Sequence, residues 1–231
     1  MTQPRKTVSY ILKAVVIISA AIGTLIGDLV IGRPFSEICR GLMYFTAQSN
    51  ILIALICLTG ACLMMRDKAV SDVWRIIKFV GTVAITLTGF VYITILVPSF
   101  LHQTWTLKNI LTHVVVPLVS IADYFVTGAG AGLAKKNVIY VVIPPLLYAI
   151  YAGIGYRAGW QFSPGANYPY FFLNWGSPAG TYGFIRTSPY MGCAWWILAL
   201  FIFLIIVGYG YLVLADFLLN RFSKEEIWSN R

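Results

Sequence analysis

The sequence predicts an all-α membrane protein, a single bundle of six transmembrane helices with both termini in the cytoplasm. Hydrophobic residues make up 59% of the chain and charged residues only 11%, whereas soluble domains carry roughly 25% charged residues. Several apolar runs have the length of about twenty residues that an α-helix needs to cross a bilayer. No polar stretch is long enough to bury a core of its own, so we expect residues 1–231 to form one integral membrane domain.

The first apolar run extends from about residue 8 to residue 30, after a short basic segment. The apolar core of a signal peptide has only about 7–15 residues, so this longer run is predicted to be the first span. Arg33–Pro34 ends it, and a short loop that contains Glu37 and Arg40 leads to the next span. The five later spans are predicted at about 43–65, 76–98, 108–127, 138–156 and 190–218. Pro144–Pro145 is expected to kink the fifth of the six spans or to displace its start.

The distribution of positive charge orients the predicted bundle. Most of the 17 Lys and Arg residues fall in the N-terminal segment, in the loops after the second and fourth spans, and in the C-terminal tail. Cytoplasmic loops carry such an excess, so both termini are predicted to be cytoplasmic and the long connection 157–188 to lie on the outer side. The same distribution, in short clusters between apolar runs, argues against nucleic acid as a partner despite the net charge of +9.

The second span begins with a polar cluster that is unusual in a membrane helix. Thr46, Gln48, Ser49 and Asn50 occur within five residues, and an apolar run follows them directly. Polar groups in a bilayer need partners inside the protein, so this cluster indicates a site or a helix contact. Thr46 lies about one turn from the outer end of its span, and His113 lies one to two turns from the outer end of the fourth span. At ~1.5 Å per residue, the two are predicted at nearly the same depth.

The fourth span has a polar stripe that we expect to face the interior of the bundle, because ionisable groups in a membrane avoid lipid. The stripe recurs at helical spacing and consists of Asn109, His113, Val116, Ser120, Asp123 and Thr127.

A hydroxyl and a neutral imidazole at one depth suggest nucleophilic chemistry. His113 as a base would take the proton of Thr46, whose oxygen would then attack an ester carbonyl. Asn109, Gln48 and Asn50 are candidate donors to the resulting oxyanion. Asp123 is roughly 15 Å deeper than His113 along the same helix and cannot orient it directly. Asp28 is better placed by depth for that role.

The 157–188 connection is expected to fold over this outer mouth. Its aromatic segment contains side chains that suit an interface or an acyl pocket. Together with Asp123, the candidate pocket residues are Tyr168, Tyr170, Phe171 and Asn174.

No metal or organic cofactor is expected. The four cysteines, Cys39, Cys57, Cys62 and Cys193, have no metal-ligand spacing, and the chain has only two histidines. Two histidines, with only one clearly inside a span, argue against a three-His zinc site and against bis-His haem.

Three segments resemble one family. They are Tyr44–Asn50, Asn109–Pro117 and Tyr168–Asn174, and they are similar to sequence motifs of the androgen-induced / androgen-dependent TFPI-regulating protein family. Members are multi-span membrane proteins, and the animal members are threonine hydrolases of fatty acid esters of hydroxy fatty acids. The continuation Gln48–Ser49–Asn50 resembles the bacterial branch.

The resemblance implies roles for particular residues. The family's nucleophilic threonine falls on Thr46, its histidine on His113, and the asparagine before that histidine on Asn109. It implies an intramembrane threonine-type carboxylic ester hydrolase in a bacterial plasma membrane, with a lipid ester as substrate. The predicted topology places the site near the outer leaflet.

Two other readings of the same residues remain open. In one, the polar stripe lines the cavity of a non-catalytic lipid-binding or transport protein. In the other, the polar groups only hold helices together, as threonine in membrane helices commonly does. The first alternative predicts binding without turnover, and the second predicts that loss of Thr46 or His113 mainly lowers stability.

Overall fold

The computed structural model describes residues 3–30, 32–66, 70–99 and 105–229, with the side chains of residues 27, 30 and 222–229 excepted. Within these ranges six helices are long and apolar enough to cross a membrane, which confirms the predicted all-α architecture of six spanning helices. The spanning helices are α1 (Gln3–Ile26), α3 (Phe45–Met65), α4 (Asp72–Ser99), α5 (Leu107–Thr127), α6 (Lys135–Arg157) and α7, whose apolar part is Cys193–Arg221.

The short segment between the first two spans is a helix, α2 (Phe35–Leu42), where the sequence analysis expected a loop. Its Ile38 is buried while Phe35 is 79% exposed. The helix thus buries Ile38 alone, and a buried face one residue wide leaves no periodic pattern in the sequence.

The proline pair displaces the start of the fifth span, one of the two predicted outcomes. The first part of α6, Lys135–Val142, is a 3₁₀ helix, and α-helical geometry begins at Ile143. Pro144 and Pro145 thus lie in the first α-helical turn, where a missing backbone N–H costs nothing.

Helix α4 is the centre of the bundle. It packs against α3 and α5 on one side and against α6 and α7 on the other, and α1 completes the first group through contacts with α3 and α5. Small residues line its contact faces. A Cβ on Gly81, for example, would overlap the side chain of Ile56. Small residues let membrane helices approach closely, and this explains why α4 can have neighbours on both sides.

The outward faces of the helices carry exposed apolar side chains, as a lipid-facing surface requires. Ile11 on α1, Leu55 on α3, Leu147 on α6 and Ile206 on α7 are each more than half exposed. Helix α7 is the most peripheral of the spans, because only 17% of the residues in its most apolar stretch are buried. The apolar surface therefore surrounds the bundle and does not form one isolated patch.

The connection between α6 and α7 folds back onto the end of the bundle where α3 begins, as expected. Phe162, Phe172 and Leu173 are buried there. The Tyr44 hydroxyl donates to the backbone carbonyl of Phe162 at 3.1 Å, and Tyr170 stacks on Phe172 with ring planes 2° apart. These contacts hold the aromatic segment over the first turn of α3.

Candidate functional site

Thr46 and His113 are in hydrogen-bonding contact. The Oγ1 atom of Thr46, in the first turn of α3, lies 3.3 Å from Nε2 of His113 on α5. The prediction that the two residues lie at one depth is confirmed, and the contact shows in addition that their side chains face each other. His113 is only 7% exposed, so the contact is shielded from bulk solvent on most sides.

The other ring nitrogen of His113 fixes its tautomer. Nδ1 lies 3.1 Å from the backbone carbonyl oxygen of Asn109, which can only accept a hydrogen bond. Thr112 Oγ1, 3.0 Å from Nδ1, already donates its own hydrogen to the Lys108 carbonyl. Nδ1 therefore carries the proton. The lone pair of a neutral ring is then on Nε2 and points at the Thr46 hydroxyl, which must be the donor.

Tyr92 holds the plane of the His113 ring. The two rings are stacked, with centroids 3.9 Å apart and planes 19° apart. The Tyr92 hydroxyl is hydrogen-bonded to the Asn109 side chain, and the carbonyl of that same asparagine accepts from His113. Asn109 and Tyr92 thus fix the imidazole at one edge and on one face.

Three π-helical turns meet around this pair. They are Ile22–Ile26 on α1, Tyr92–Leu96 on α4 and Leu111–Val115 on α5. Each contributes residues to the wall of one cleft. Single π turns inside α-helices are rare and frequently occur at functional sites. Their convergence here indicates that backbone geometry has been adjusted around the cleft on three separate helices.

Two glycines allow the helices to approach the His113 turn. A Cβ on Gly89 of α4 would lie 2.9 Å from the His113 carbonyl oxygen, and a Cβ on Gly23 of α1 would lie 2.5 Å from Cγ2 of Thr112. The first of these contacts is to backbone and cannot be relieved by a side-chain rotation. The position of His113 therefore depends on α4 having no side chain at residue 89.

Tyr170 lies against the nucleophile candidate from the opposite side. Its hydroxyl interacts with the Thr46 side chain and with the backbone N–H groups at the start of α3. Burial raises the pKa of Tyr170 to about 12, and the hydrogen bonds to Thr46 oppose that rise. The first N–H groups of a helix have no intrahelical partner and attract negative charge. A neutral phenol and these amides therefore surround Thr46 with donors.

Thr46 stands at the boundary between two cavities. The larger is an open cleft of ≈800 Å³ with polar walls from Lys108, Asn109 and His113. The smaller is a narrow apolar pocket of ≈60 Å³ that extends between α4, α6 and α7. Three residues line both cavities, namely Thr46, Leu96 and Tyr170. A molecule with a polar part and an apolar chain can place their junction at Thr46.

The predicted amide donors have other partners. Asn50 Nδ2 donates to the backbone carbonyls of Thr46 at 2.8 Å and Thr112 at 3.2 Å, so it ties α3 to α5 directly beneath the site. Gln48 Nε2 donates to the carbonyls of Leu42 and Met43 on an exposed face. The structure thus brings Asn50 close to the pair as a structural link and leaves Gln48 outside the cleft.

Asp28 is near the cleft but does not contact His113. Its carboxylate accepts from Lys108 Nζ and forms an ion pair with Arg33 at 3.3 Å. Among the described residues, the groups in hydrogen-bonding distance of His113 Nδ1 are the Asn109 carbonyl and the Thr112 hydroxyl. Both partners lie within one turn of His113 on its own helix. The sequence analysis looked for an orienting group at the same depth on other helices and therefore overlooked them.

The candidate pocket residues divide into two groups. Tyr168, Tyr170 and Phe171 line the cleft. Asn174 instead accepts a hydrogen bond from the backbone N–H of Gly176 and stabilises a turn of the connection. Asp123 lies at the other end of α5, paired with two lysines.

Sequence reasoning missed two residues of the site, Tyr92 and Thr112. Tyr92 lies near the outer end of the third predicted span, so the depth argument that paired Thr46 with His113 applies to it as well. Thr112 is adjacent to His113, and no pattern in the sequence separates its role from that of an ordinary helix threonine.

Comparisons of the chain with protein-family models, with curated proteins and with solved structures found no match. In the described part of the chain, no group of three or more His, Cys, Asp or Glu side chains is arranged to hold a metal ion. The four cysteines are free. The chemistry of the site therefore has to be argued from Thr46, His113 and their neighbours.

Proposed function

We propose that this protein is an intramembrane hydrolase of lipid esters, with Thr46 as nucleophile and His113 as general base. The observation that carries the proposal is the 3.3 Å contact between Thr46 Oγ1 and His113 Nε2. Because the proton of the neutral ring is on Nδ1, Nε2 accepts the hydrogen bond and the Thr46 hydroxyl donates it, which is the arrangement that a nucleophile and its general base need.

In the acylation step, Thr46 Oγ attacks the carbonyl carbon of the ester while its proton moves to His113 Nε2. The carbonyl oxygen becomes an oxyanion, and the Tyr170 hydroxyl with the N–H groups at the start of α3 stabilises it. When the tetrahedral intermediate collapses, the carbon–oxygen bond to the alcohol breaks. His113 returns its proton to the departing alkoxide, and an acyl ester on Thr46 remains.

In the deacylation step, water attacks the acyl carbon from the open cleft and His113 Nε2 takes a proton from it. Collapse of the second intermediate breaks the bond to Thr46 Oγ, and His113 reprotonates that oxygen. The acid leaves and the site returns to its starting state. His113 alternates between neutral and charged forms, and the Asn109 carbonyl accepts from Nδ1–H in both.

The two cavities support a lipid ester as substrate. The apolar pocket next to Thr46, at ≈60 Å³, has room for the first carbon atoms of an acyl chain, and the larger cleft has room for the alcohol part and the attacking water. The resemblance of three segments to the androgen-induced / androgen-dependent TFPI-regulating protein family supports fatty acid esters of hydroxy fatty acids or similar esters. Positive-charge distribution and the bacterial-type Gln48–Ser49–Asn50 segment support a bacterial plasma membrane with the site near its outer leaflet.

Labelling with a fluorophosphonate probe tests the proposal, together with hydrolysis of a lipid ester in detergent. The wild type should be labelled, and Thr46→Ala and His113→Ala should lose labelling and turnover. Thr94→Ala is the matched threonine control, since Thr94 is exposed on α4 and donates to the Phe90 carbonyl of its own helix. His102→Ala is the histidine control, at a position outside the described residues. Full labelling or hydrolysis in well-folded Thr46→Ala would overturn the proposal.

A lipid-binding or transport function gives a different outcome in the same experiment. The wild type would then bind lipid in the two cavities with no turnover and no covalent label. Thr46→Ser would leave that binding unchanged. For the hydrolase, Thr46→Ser retains a nucleophile and should keep part of the activity.

A further inference from the structure

A second cleft lies at the end of the bundle opposite to the Thr46–His113 site. It opens where α1 and α4 begin and where α3 and α5 end, and it has a volume of ≈510 Å³. We call it the basic cleft. Lys6, Lys13, Arg75 and Lys78 line it, and no acidic residue of the described chain does.

The base of the basic cleft is a buried cluster of charges from three helices. Asp123 of α5 is fully buried and contacts Lys13 of α1 at 2.7 Å and Lys78 of α4 at 2.6 Å. The Ser9 hydroxyl also donates to Asp123, at 2.6 Å. One carboxylate thus faces two ammonium groups, so the cluster lacks one negative charge. A buried charge without a counter-charge is costly, which makes an anion favourable at this place.

The two lysines differ in the hydrogen bonds they have left. Lys13 Nζ makes three contacts, one to Ser9 and two to the Asp123 oxygens. Lys78 Nζ makes two contacts, to Asp123 at 2.6 Å and to Thr127 at 3.0 Å. An ammonium group has three N–H donors. Within the described part of the chain, Lys78 therefore keeps one donor for a group in the cleft.

The rim of the basic cleft adds charge and apolar surface. Arg75 is held in place by the carbonyls of Ala129 and Ala131 and by an ion pair with Asp72, whose side chain is 79% exposed. Apolar side chains complete the rim, and they are Leu63, Met64, Val70 and Trp74. Basic groups beside apolar groups at a helix end fit an anion that carries hydrocarbon.

We propose that the basic cleft binds a phosphate group, presented by a phospholipid headgroup or as free phosphate. Lys78 donates to a phosphate oxygen, and the charges of Lys13 and Lys6 stabilise the anion at longer range. The apolar rim contacts the glycerol and the first methylene groups when the phosphate belongs to a lipid. Binding links α1 and α4 through one anion and is independent of the chemistry at Thr46.

Thermal unfolding of the purified protein in non-ionic detergent tests this proposal with three titrations. One uses a short-chain phosphatidylglycerol, one the diacylglycerol with the same chains, and one inorganic phosphate. The unfolding temperature should rise with the phospholipid and stay constant with the diacylglycerol. A rise with inorganic phosphate at matched concentration assigns the site to free phosphate, and a rise with the lipid alone assigns it to a headgroup.

Two variants and a control locate the binding. Lys78→Met leaves Asp123 paired with Lys13, so the fold should persist, and it should weaken phosphate or phospholipid binding about tenfold or more. Lys6→Gln, a rim variant that leaves the buried cluster intact, should weaken binding in the same direction. Lys135→Met removes an equal charge at the same end of the bundle but outside the cleft, where Lys135 pairs with Asp216 at 2.6 Å, and should bind as the wild type does. The proposal fails if no phosphate compound raises the unfolding temperature, or if Lys78→Met and Lys135→Met bind equally.

Discussion

Gly89 lies against the backbone carbonyl of His113, so closely that a Cβ at residue 89 would be 2.9 Å from the carbonyl oxygen. Helix α4 thereby sets the position of a base on α5 without contributing a side chain to the contact. The carbonyl belongs to a π-helical turn, Leu111–Val115, in which the usual hydrogen-bond pattern of an α-helix is interrupted. A substitution at Gly89 is therefore a way to move His113 while every proposed catalytic group stays present.

Gly89→Ala should lower ester hydrolysis strongly and destabilise the protein by about 1–3 kcal/mol, the usual cost of inserting a methyl group into a filled interior. The measurement is turnover together with thermal unfolding in detergent. Gly210→Ala is the control, because a Cβ there meets nothing within 4 Å. That control should be neutral or slightly stabilising, since alanine is the better helix former. Equal activity in the two variants would show that α4 does not position the base.

Tyr92 should act on the reaction through its ring and its hydroxyl separately. Tyr92→Phe keeps the stack on His113 and loses the hydrogen bond to Asn109, so a small drop in kcat is expected. Tyr92→Leu loses both contacts and should lower kcat further, with little change in KM because the ring holds the base. Steady-state kinetics on one ester separates these effects. A larger loss in Tyr92→Phe than in Tyr92→Leu would contradict the stacking role.

Patterns along single helices predicted the fold and the central pair well. The apolar runs gave six spans, and the helical spacing of His113, Ser120 and Asp123 gave the buried face of α5. The depth of Thr46 and His113 followed from the ends of their spans and the rise of an α-helix. These features depend on periodicity and length, which are properties of the sequence itself.

Contacts of the α6–α7 connection with the bundle, and contacts between particular helices, could not be predicted from the sequence. The apposition of Tyr170 to Thr46 depends on the path of a long irregular segment, for which no periodic pattern exists. The pairing of Asp123 with Lys13 and Lys78 depends on which helices are neighbours, and the sequence analysis singled out neither lysine. The three π turns left no signal that the sequence analysis used.

Tyr170→Phe should lower kcat and change the pH dependence of stability. The pKa of Tyr170 is raised by burial from 10.0 to about 12, so the folded protein holds that proton more tightly than the unfolded chain does. The resulting stabilisation is fully present below pH 10 and is lost as pH rises towards 12. The wild type should therefore lose more stability than Tyr170→Phe between pH 10 and pH 12. If the unfolding temperatures of the two proteins fall by the same amount between pH 10 and pH 12, the Tyr170 hydroxyl is not buried and hydrogen-bonded as described.

Asp123→Asn should destabilise the bundle far more than loss of either lysine. The carboxylate is fully buried and is the shared counter-ion of Lys13 and Lys78. Its neutralisation leaves two ammonium groups facing each other, at a cost of about 3–5 kcal/mol. Lys78→Met instead leaves one balanced ion pair and should cost less. Thermal unfolding of the two variants in the same detergent gives the comparison, and a smaller loss in Asp123→Asn than in Lys78→Met would mean that the cluster is not held together by this carboxylate.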